Sequence, residues 1–250
     1  MSKMDILLMR HGYDDHSYID GLNDTSLTVD GIEIAKKASR IYAPKLGKRF
    51  EAGMSLRVSS RRRAVETAEI LSEELDCHGI ENDLVVNSDF RELYQGDMIG
   101  LDGKNHAERV RMLELGWEIF ERERLAGNDD YKYGTPDYSN LRYDSFNRLI
   151  SPPYGESQNE LSDRVESGFV DTLYDVLPTG RTPLFIVHRG TIREILNITM
   201  AHNVGNYDIK QNPHIEMAGW KYCEMFETNL DDVNFSLGAL ARKVYGKKRL

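Results

Sequence analysis

Arg10-His11-Gly12 follows directly on a short apolar run, Ile6-Leu7-Leu8-Met9. A run this short is predicted to be a buried strand rather than a helix. At the mouth of an α/β sheet, the carboxyl ends of strands are where ligands bind. A histidine there can act as nucleophile or proton carrier. The adjoining arginine can hold a phosphate through forked, charge-assisted hydrogen bonds. The glycine lets the chain turn and lets backbone N–H groups approach an anion.

The arrangement recurs downstream. Pro183-Leu184-Phe185-Ile186-Val187 is predicted to be a second buried strand, and His188-Arg189-Gly190-Thr191 follows it. Ile192, Ile195, Leu196 and Thr199 then fall at helical spacing. A helix opening at Gly190 offers free N–H donors and partial positive charge, which suit a phosphate. Between the two histidines lies the strand Leu56-Arg57-Val58-Ser59-Ser60, then Arg61-Arg62-Arg63-Ala64-Val65-Glu66-Thr67-Ala68. Ser59 or Ser60 can cap the helix, and Ala64, Ala68, Leu71 and Leu75 form its apolar stripe. Three arginines in a first turn oppose the helix dipole. Such local violations mark functional positions, and a bound phosphate would offset at least one of these charges.

The elements that must position these groups alternate. Residues 4–9 form a first strand; Ile34, Ala35, Ala38, Ile41 and Tyr42 mark a helix; residues 55–59 form the second strand; the next helix runs to about Leu75; Leu84-Val85-Val86 is a short third strand. Alternation of this kind predicts a mostly parallel sheet covered on both faces, a three-layer α/β/α sandwich. The stretch 97–154 breaks the rhythm. His106 to Leu125 is helical in pattern, and Asp129 to Tyr154 is rich in Tyr, Asp, Asn, Arg and Pro. Its aromatics favour an ordered cap inserted into a single domain spanning 1–250. Ser157 with Glu160 forms a capping box, and Leu161, Val165, Phe169, Leu173 and Val176 trace a buried helix face. Trp220 to Phe226 alternates like a strand.

The chain has 250 residues, 40% hydrophobic and 29% charged, with a formal net charge of -9. That composition is ordinary for a globular protein with a sizeable core. The acidic balance argues against broad nucleic-acid binding or attachment to an anionic membrane, and the basic tail Arg242 to Arg249 is a solvated end. No segment approaches the ~20 apolar residues of a membrane-spanning helix. Met1-Ser2-Lys3-Met4-Asp5 leads straight into the first strand without a visible signal peptide, so a cytoplasmic location is expected. Cys77 and Cys223 suggest buried thiols rather than a disulfide framework. His16, His78, His106, His202 and His214 have no paired metal-ligand spacing. His78, His106 and His202 are read as surface residues; His16 and His214 are ordinary positions or line the pocket. There is no Walker loop and no dinucleotide fingerprint. The sequence carries no signature of oligomeric state.

Taken in order, these motifs resemble the histidine phosphatase superfamily, specifically its phosphoglycerate mutase-like branch. The resemblance rests on Arg10-His11-Gly12, Ser59 through Ala68, Phe90-Arg91-Glu92-Leu93-Tyr94-Gln95-Gly96-Asp97, Gly155-Glu156-Ser157 and His188-Arg189-Gly190-Thr191-Ile192-Arg193, with Asn212-Pro213 as a further family feature. It implies that His11 attacks phosphorus to form a phosphohistidine, splitting one difficult step into two. It also implies that Arg10, Arg63 and His188 surround the transferred group and that no metal or other cofactor is needed. Arg63 matches the family arginine because Ala64 follows it and Thr67-Ala68 lies beyond; Arg61 and Arg62 are left as solvent or cap contacts. Glu92 is expected to be the general acid, since a carboxyl beside a phosphate dianion tends to keep its proton. A surface ion pair with Arg91 is the competing role. Glu156 is expected to order a pocket arginine.

Departures from the family pattern bear on substrate. Arg189 follows His188 where the acid-phosphatase branch has its proton-donating Asp, which supports Glu92 as donor. The family usually has a small residue at that position, so Arg189 either contacts substrate or points away. Ser17 stands where many members carry a phosphate-binding Asn, and its hydroxyl can still donate. Tyr13-Asp14-Asp15-His16 replaces the usual acidic and small residues. The 97–154 region lacks the substrate-binding arginines of a glycolytic mutase. The expected function is therefore a metal-independent phosphomonoesterase acting on a small phosphorylated metabolite. A phosphomutase is the first alternative, and a non-catalytic phosphate-binding module the second.

Overall fold

The computed structural model describes residues 4–14, 24–94, 156, 158–204 and 221–230, together with four isolated positions between 111 and 118. Two compact units divide the chain: residues 1–16, 24–92 and 163–250 in one, and 17–23 with 93–162 in the other. The strands and the histidines at their ends belong to the first. Ser17, the 97–154 region apart from those four positions, and the side chains of His16, His106, His202, His214, Ser157 and Trp220 lie outside the described residues.

The first unit contains a five-stranded sheet. Its strands are β1 (Met4–Arg10), β2 (Met54–Ser59), β3 (Asn82–Asn87), β4 (Thr182–Val187) and β5 (Met225–Leu230), in the order β3-β2-β4-β1-β5. The β1–β4, β2–β4 and β2–β3 pairs are parallel; β5 runs antiparallel to β1. The protein thus has an α/β fold with a mixed, mostly parallel sheet flanked by helices. These are α1 (Val29–Arg49), α2 (Arg62–Cys77), α3 (Gln158–Val176) and α4 (Arg189–Val204).

The sequence pattern explains both faces. Met54, Leu56 and Val58 of β2 point to one side with Leu7 and Met9 of β1 and Leu184 and Ile186 of β4. Ala43 and Leu46 of α1, and Ala64, Ala68, Leu71 and Leu75 of α2, cover them. The alternate residues, Ile6, Leu8, Phe185 and Val187, are equally buried on the other side. There Phe185 meets Phe169 of α3 at 5.5 Å and Phe90 edge-on at 5.2 Å. Full burial on both faces explains why β1 and β4 read as unbroken apolar runs.

Two elements expose apolar residues, and one begins later than expected. The buried side of α1 is Gly31, Ala35, Ser39, Ala43 and Leu46, while Ile34 and Ile41 are exposed. On the edge strand β3, Val85 and Val86 are exposed. The expected strand from 220 to 226 begins instead at Met225, because Lys221 to Glu224 form a turn. Cys223 is buried as expected, and burial pushes its thiol up to about 12; Cys77 is exposed, contrary to expectation.

Candidate active site

Sheet register brings the two histidines together. Arg10 of β1 pairs with Val187 of β4, so the next residue of each strand is a histidine. The His11 N–H donates to the Val187 carbonyl at 3.1 Å, and the imidazole centroids lie 4.8 Å apart. Both rings are buried. The His11 Nδ1 lies 2.7 Å from the Gly12 carbonyl oxygen. A carbonyl only accepts, so Nδ1 carries the proton and Nε2 keeps its lone pair. The Arg63 Nε–H donates to that Nε2 at 3.3 Å.

Gly12 supports this arrangement by close packing. A Cβ there would stand 3.0 Å from Leu27 Cδ2 and 3.1 Å from the Gly31 carbonyl oxygen. Its N–H, expected as an anion donor, donates instead to Thr67 Oγ1 at 2.9 Å, and the Thr67 hydroxyl donates to the Arg63 carbonyl at 2.7 Å. This chain links β1 to the first turn of α2.

Arg63 spans both imidazoles. Its Nη2 lies 3.2 Å from His188 Nδ1, and the Ser59 hydroxyl lies 2.8 Å from His188 Nε2. A guanidinium only donates, so His188 accepts at Nδ1 and its Nε2–H faces Ser59. Burial, then the proximity of the His11 imidazole and the positive charges of Arg63, Arg61 and Arg10, hold the His188 imidazole well below its ordinary value. Asp14 Oδ2 lies 3.5 Å from the same Arg63 Nε and accepts from the Thr25 hydroxyl at 2.9 Å. Asp14 is buried, and Arg63 is nearly so.

Glu92 approaches His188 from the β3 side, with Oε2 3.8 Å from Nδ1. Its side chain is partly exposed. The turn leading to it is held from three directions. Arg164 Nη1 donates to the Asp89 carbonyl at 2.5 Å and the Arg91 carbonyl at 3.2 Å. The Thr191 hydroxyl bonds the Phe90 and Arg91 carbonyls, each at 3.3 Å. Gly168 lets α3 approach, since a Cβ there would stand 2.6 Å from Asp89 Cβ.

The remaining expected residues separate. Arg10 lies beside His11, with its guanidinium carbon 4.0 Å from the centroid of the Tyr222 ring. Arg189 is exposed at the start of α4, and Gly190 is half-buried behind it. Glu156 accepts from the Tyr94 N–H at 3.3 Å. Arg62 is exposed and pairs with Glu66. Neither Ser59 nor Ser60 is the N-cap of α2, which is Arg61; Ser59 Oγ accepts from the Arg61 N–H at 3.3 Å and holds His188. The carboxylate of Asp24 accepts from the Arg62 N–H at 2.7 Å. It thereby supplies negative charge where the arginine-rich turn lacked it. Asp14, Asp24, Thr25 and Tyr222 were not singled out as site residues from sequence. Their contacts are long-range and leave no local signature. Among the described residues, no group of three or more His, Cys, Asp or Glu is arranged to hold a metal ion.

Residues 6–131 match the histidine phosphatase superfamily, branch 1. The chain belongs to this superfamily. It is 25% identical over 199 residues to a 2,3-bisphosphoglycerate-dependent phosphoglycerate mutase of Methylorubrum extorquens, covering 77% of each chain. To the probable phosphoglycerate mutase GpmB of Enterobacter sp. it is 28% identical over 188 residues, covering 74% of this chain and 69% of that one. A mycobacterial glucosyl-3-phosphoglycerate phosphatase solved with VO3 shares the fold at a TM-score of 0.60 and 19% identity, over 90% of both chains. A phosphoglycerate mutase from Bacillus anthracis does so at 0.58 and 16% identity, over 92% of this chain and 89% of its own.

Proposed function

We propose that the protein is a metal-independent phosphomonoester hydrolase of the cytoplasm, acting on a small phosphorylated metabolite. The observation that carries this reading is the His11 tautomer: an Nε2 lone pair held next to the Arg63 guanidinium and His188. That lone pair attacks phosphorus, and the bond to the substrate oxygen breaks. The guanidinium groups of Arg63 and Arg10 balance charge on the phosphoryl oxygens, and Glu92 gives its proton to the departing oxygen. Water then attacks phospho-His11, Glu92 takes a proton from it, and inorganic phosphate leaves with His11 restored. Ser17, Arg189 and Gly190 are assigned to the substrate side. Residues 97–154 are assigned as a cap within a single 1–250 domain that selects the leaving group.

The test is phosphate release from a panel of phosphomonoesters in EDTA, with His11→Ala as control. Release that vanishes in the variant supports the reading. Release that persists in His11→Ala removes the nucleophile, and release lost only to EDTA removes metal independence. The relatives named as mutases favour a second reading, in which phospho-His11 returns its phosphoryl group to a second hydroxyl. Isomerisation of phosphoglycerate without net phosphate release would select it.

A further inference from the structure

We propose that Tyr222 is a positioning residue that holds the Arg10 guanidinium in place beside His11. The inference rests on the phosphate-pocket reading above and adds to it a residue outside the motifs that carry the family resemblance. The Arg10 guanidinium carbon stands 4.0 Å from the Tyr222 ring centroid, the distance of a close cation–π contact. The same ring lies 5.8 Å from the His11 imidazole and meets Tyr13 edge-on at 5.2 Å. One aromatic side chain therefore touches the arginine that precedes the nucleophile, the nucleophile itself and the residue two beyond it.

The backbone is bent to make this contact. Cys223 has φ 55, the one positive φ at a non-glycine residue among those described. Such a conformation is costly for a residue with a side chain and persists where the surroundings fix it. Here the Cys223 N–H donates to the Arg10 carbonyl at 2.9 Å, and its side chain is buried among Leu27 and Ala35. The turn from Lys221 to Glu224 thus ties Tyr222 to the backbone of Arg10 as well as to its side chain. Stacking on a ring fixes the plane of a guanidinium and so the direction in which its N–H groups donate. Burial pushes the Tyr222 phenol up, so the ring remains neutral in the ordinary pH range and adds no charge next to an anion.

Orthovanadate affinity, measured by calorimetry, tests this in a double-mutant cycle with Tyr222→Leu, Tyr222→Phe and Arg10→Lys. Tyr222→Leu is expected to weaken vanadate about tenfold, the size of a desolvated cation–π contact. Tyr222→Phe keeps the ring and recovers most of that loss. In the Arg10→Lys background the effect of Tyr222→Leu shrinks to under about threefold, as coupled neighbours require. Vanadate binding unchanged in Tyr222→Leu, or an equal loss in both backgrounds, overturns the proposal and leaves the phosphate pocket standing. A wild-type protein that binds no vanadate overturns the pocket and the proposal together.

Discussion

Replacing Arg63 with alanine tests whether the guanidinium holds the site together electrostatically as well as geometrically. In the folded protein Asp14 is buried, and Arg63 is a cation beside it, at 3.5 Å. Removing one partner of a buried pair typically costs about 3–5 kcal/mol, because it leaves an uncompensated charge. Two features reduce that figure. The 3.5 Å contact is long for an ion pair, and Asp14 Oδ2 keeps the Thr25 hydroxyl at 2.9 Å. We expect a loss of about 2–3 kcal/mol for Arg63→Ala at neutral pH. For a chain of this size that corresponds to a fall in Tm of roughly 5–10 °C. Urea and thermal unfolding followed by circular dichroism measure it. Adding Asp14→Asn should recover at least half of the loss, since an amide tolerates burial that a carboxylate does not. Catalytic activity should stay lost in the double variant, because the guanidinium is still missing. An Arg63→Ala protein as stable as wild type refutes the argument, as does a double variant whose losses simply add.

The pH dependence of stability carries a second expectation. His188 is held neutral in the fold well below the ordinary value of 6.5, whereas the unfolded chain protonates it there. Its contribution is fully present above about pH 6.5 and falls by about 1.4 kcal/mol per pH unit below that, until the folded-state value is reached. Denaturant titrations of wild type and His188→Gln between pH 7 and 5 should show a shallower slope in the variant; parallel slopes would contradict it. Glu92→Gln should slow alkyl phosphates by about 100-fold while slowing aryl phosphates less than tenfold, since good leaving groups need no proton. Equal slowing of both classes in steady-state assays would remove the general-acid role. Arg164→Met should reproduce the same leaving-group bias at about tenfold, because loosening the turn at 88–91 misplaces Glu92 by a fraction of an ångström. A uniform loss across esters would assign Arg164 a purely structural part.

How much of this was legible in the sequence follows from where each signal resides. β1 and β4 were legible because each is buried on both faces and therefore appears as a continuous apolar run, whereas β2 alternates apolar with polar residues. β5 was misplaced because it lies at the sheet edge with Glu227, Thr228 and Asn229 in its second half, so alternation further upstream carried more hydrophobic signal than the strand itself. The buried side of α1 carries no hydrophobic signature for a related reason. Gly31, Ala35 and Ser39 are small residues chosen by close packing, and Gly31 leaves no room for a Cβ against the Tyr13 carbonyl. Hydrophobicity does not report that constraint.

The site divides along the same line. His11 and His188 stand at the ends of apolar runs, so a parallel sheet alone is enough to bring them close. What makes them chemically different is only partly local. The His11 tautomer is set by the carbonyl of its own neighbour, whereas His188 is set by Ser59, 129 residues away, and by Arg63, 125 away. Both rings present a lone pair to one guanidinium, and that guanidinium takes its position from Asp14 and Thr25 on a separate stretch of chain. The motifs therefore identify the groups able to bear charge. The fold decides which nitrogen of each is protonated, and that assignment leaves His11 with an Nε2 lone pair toward Arg63 and His188 a neutral hydrogen-bond acceptor beside it.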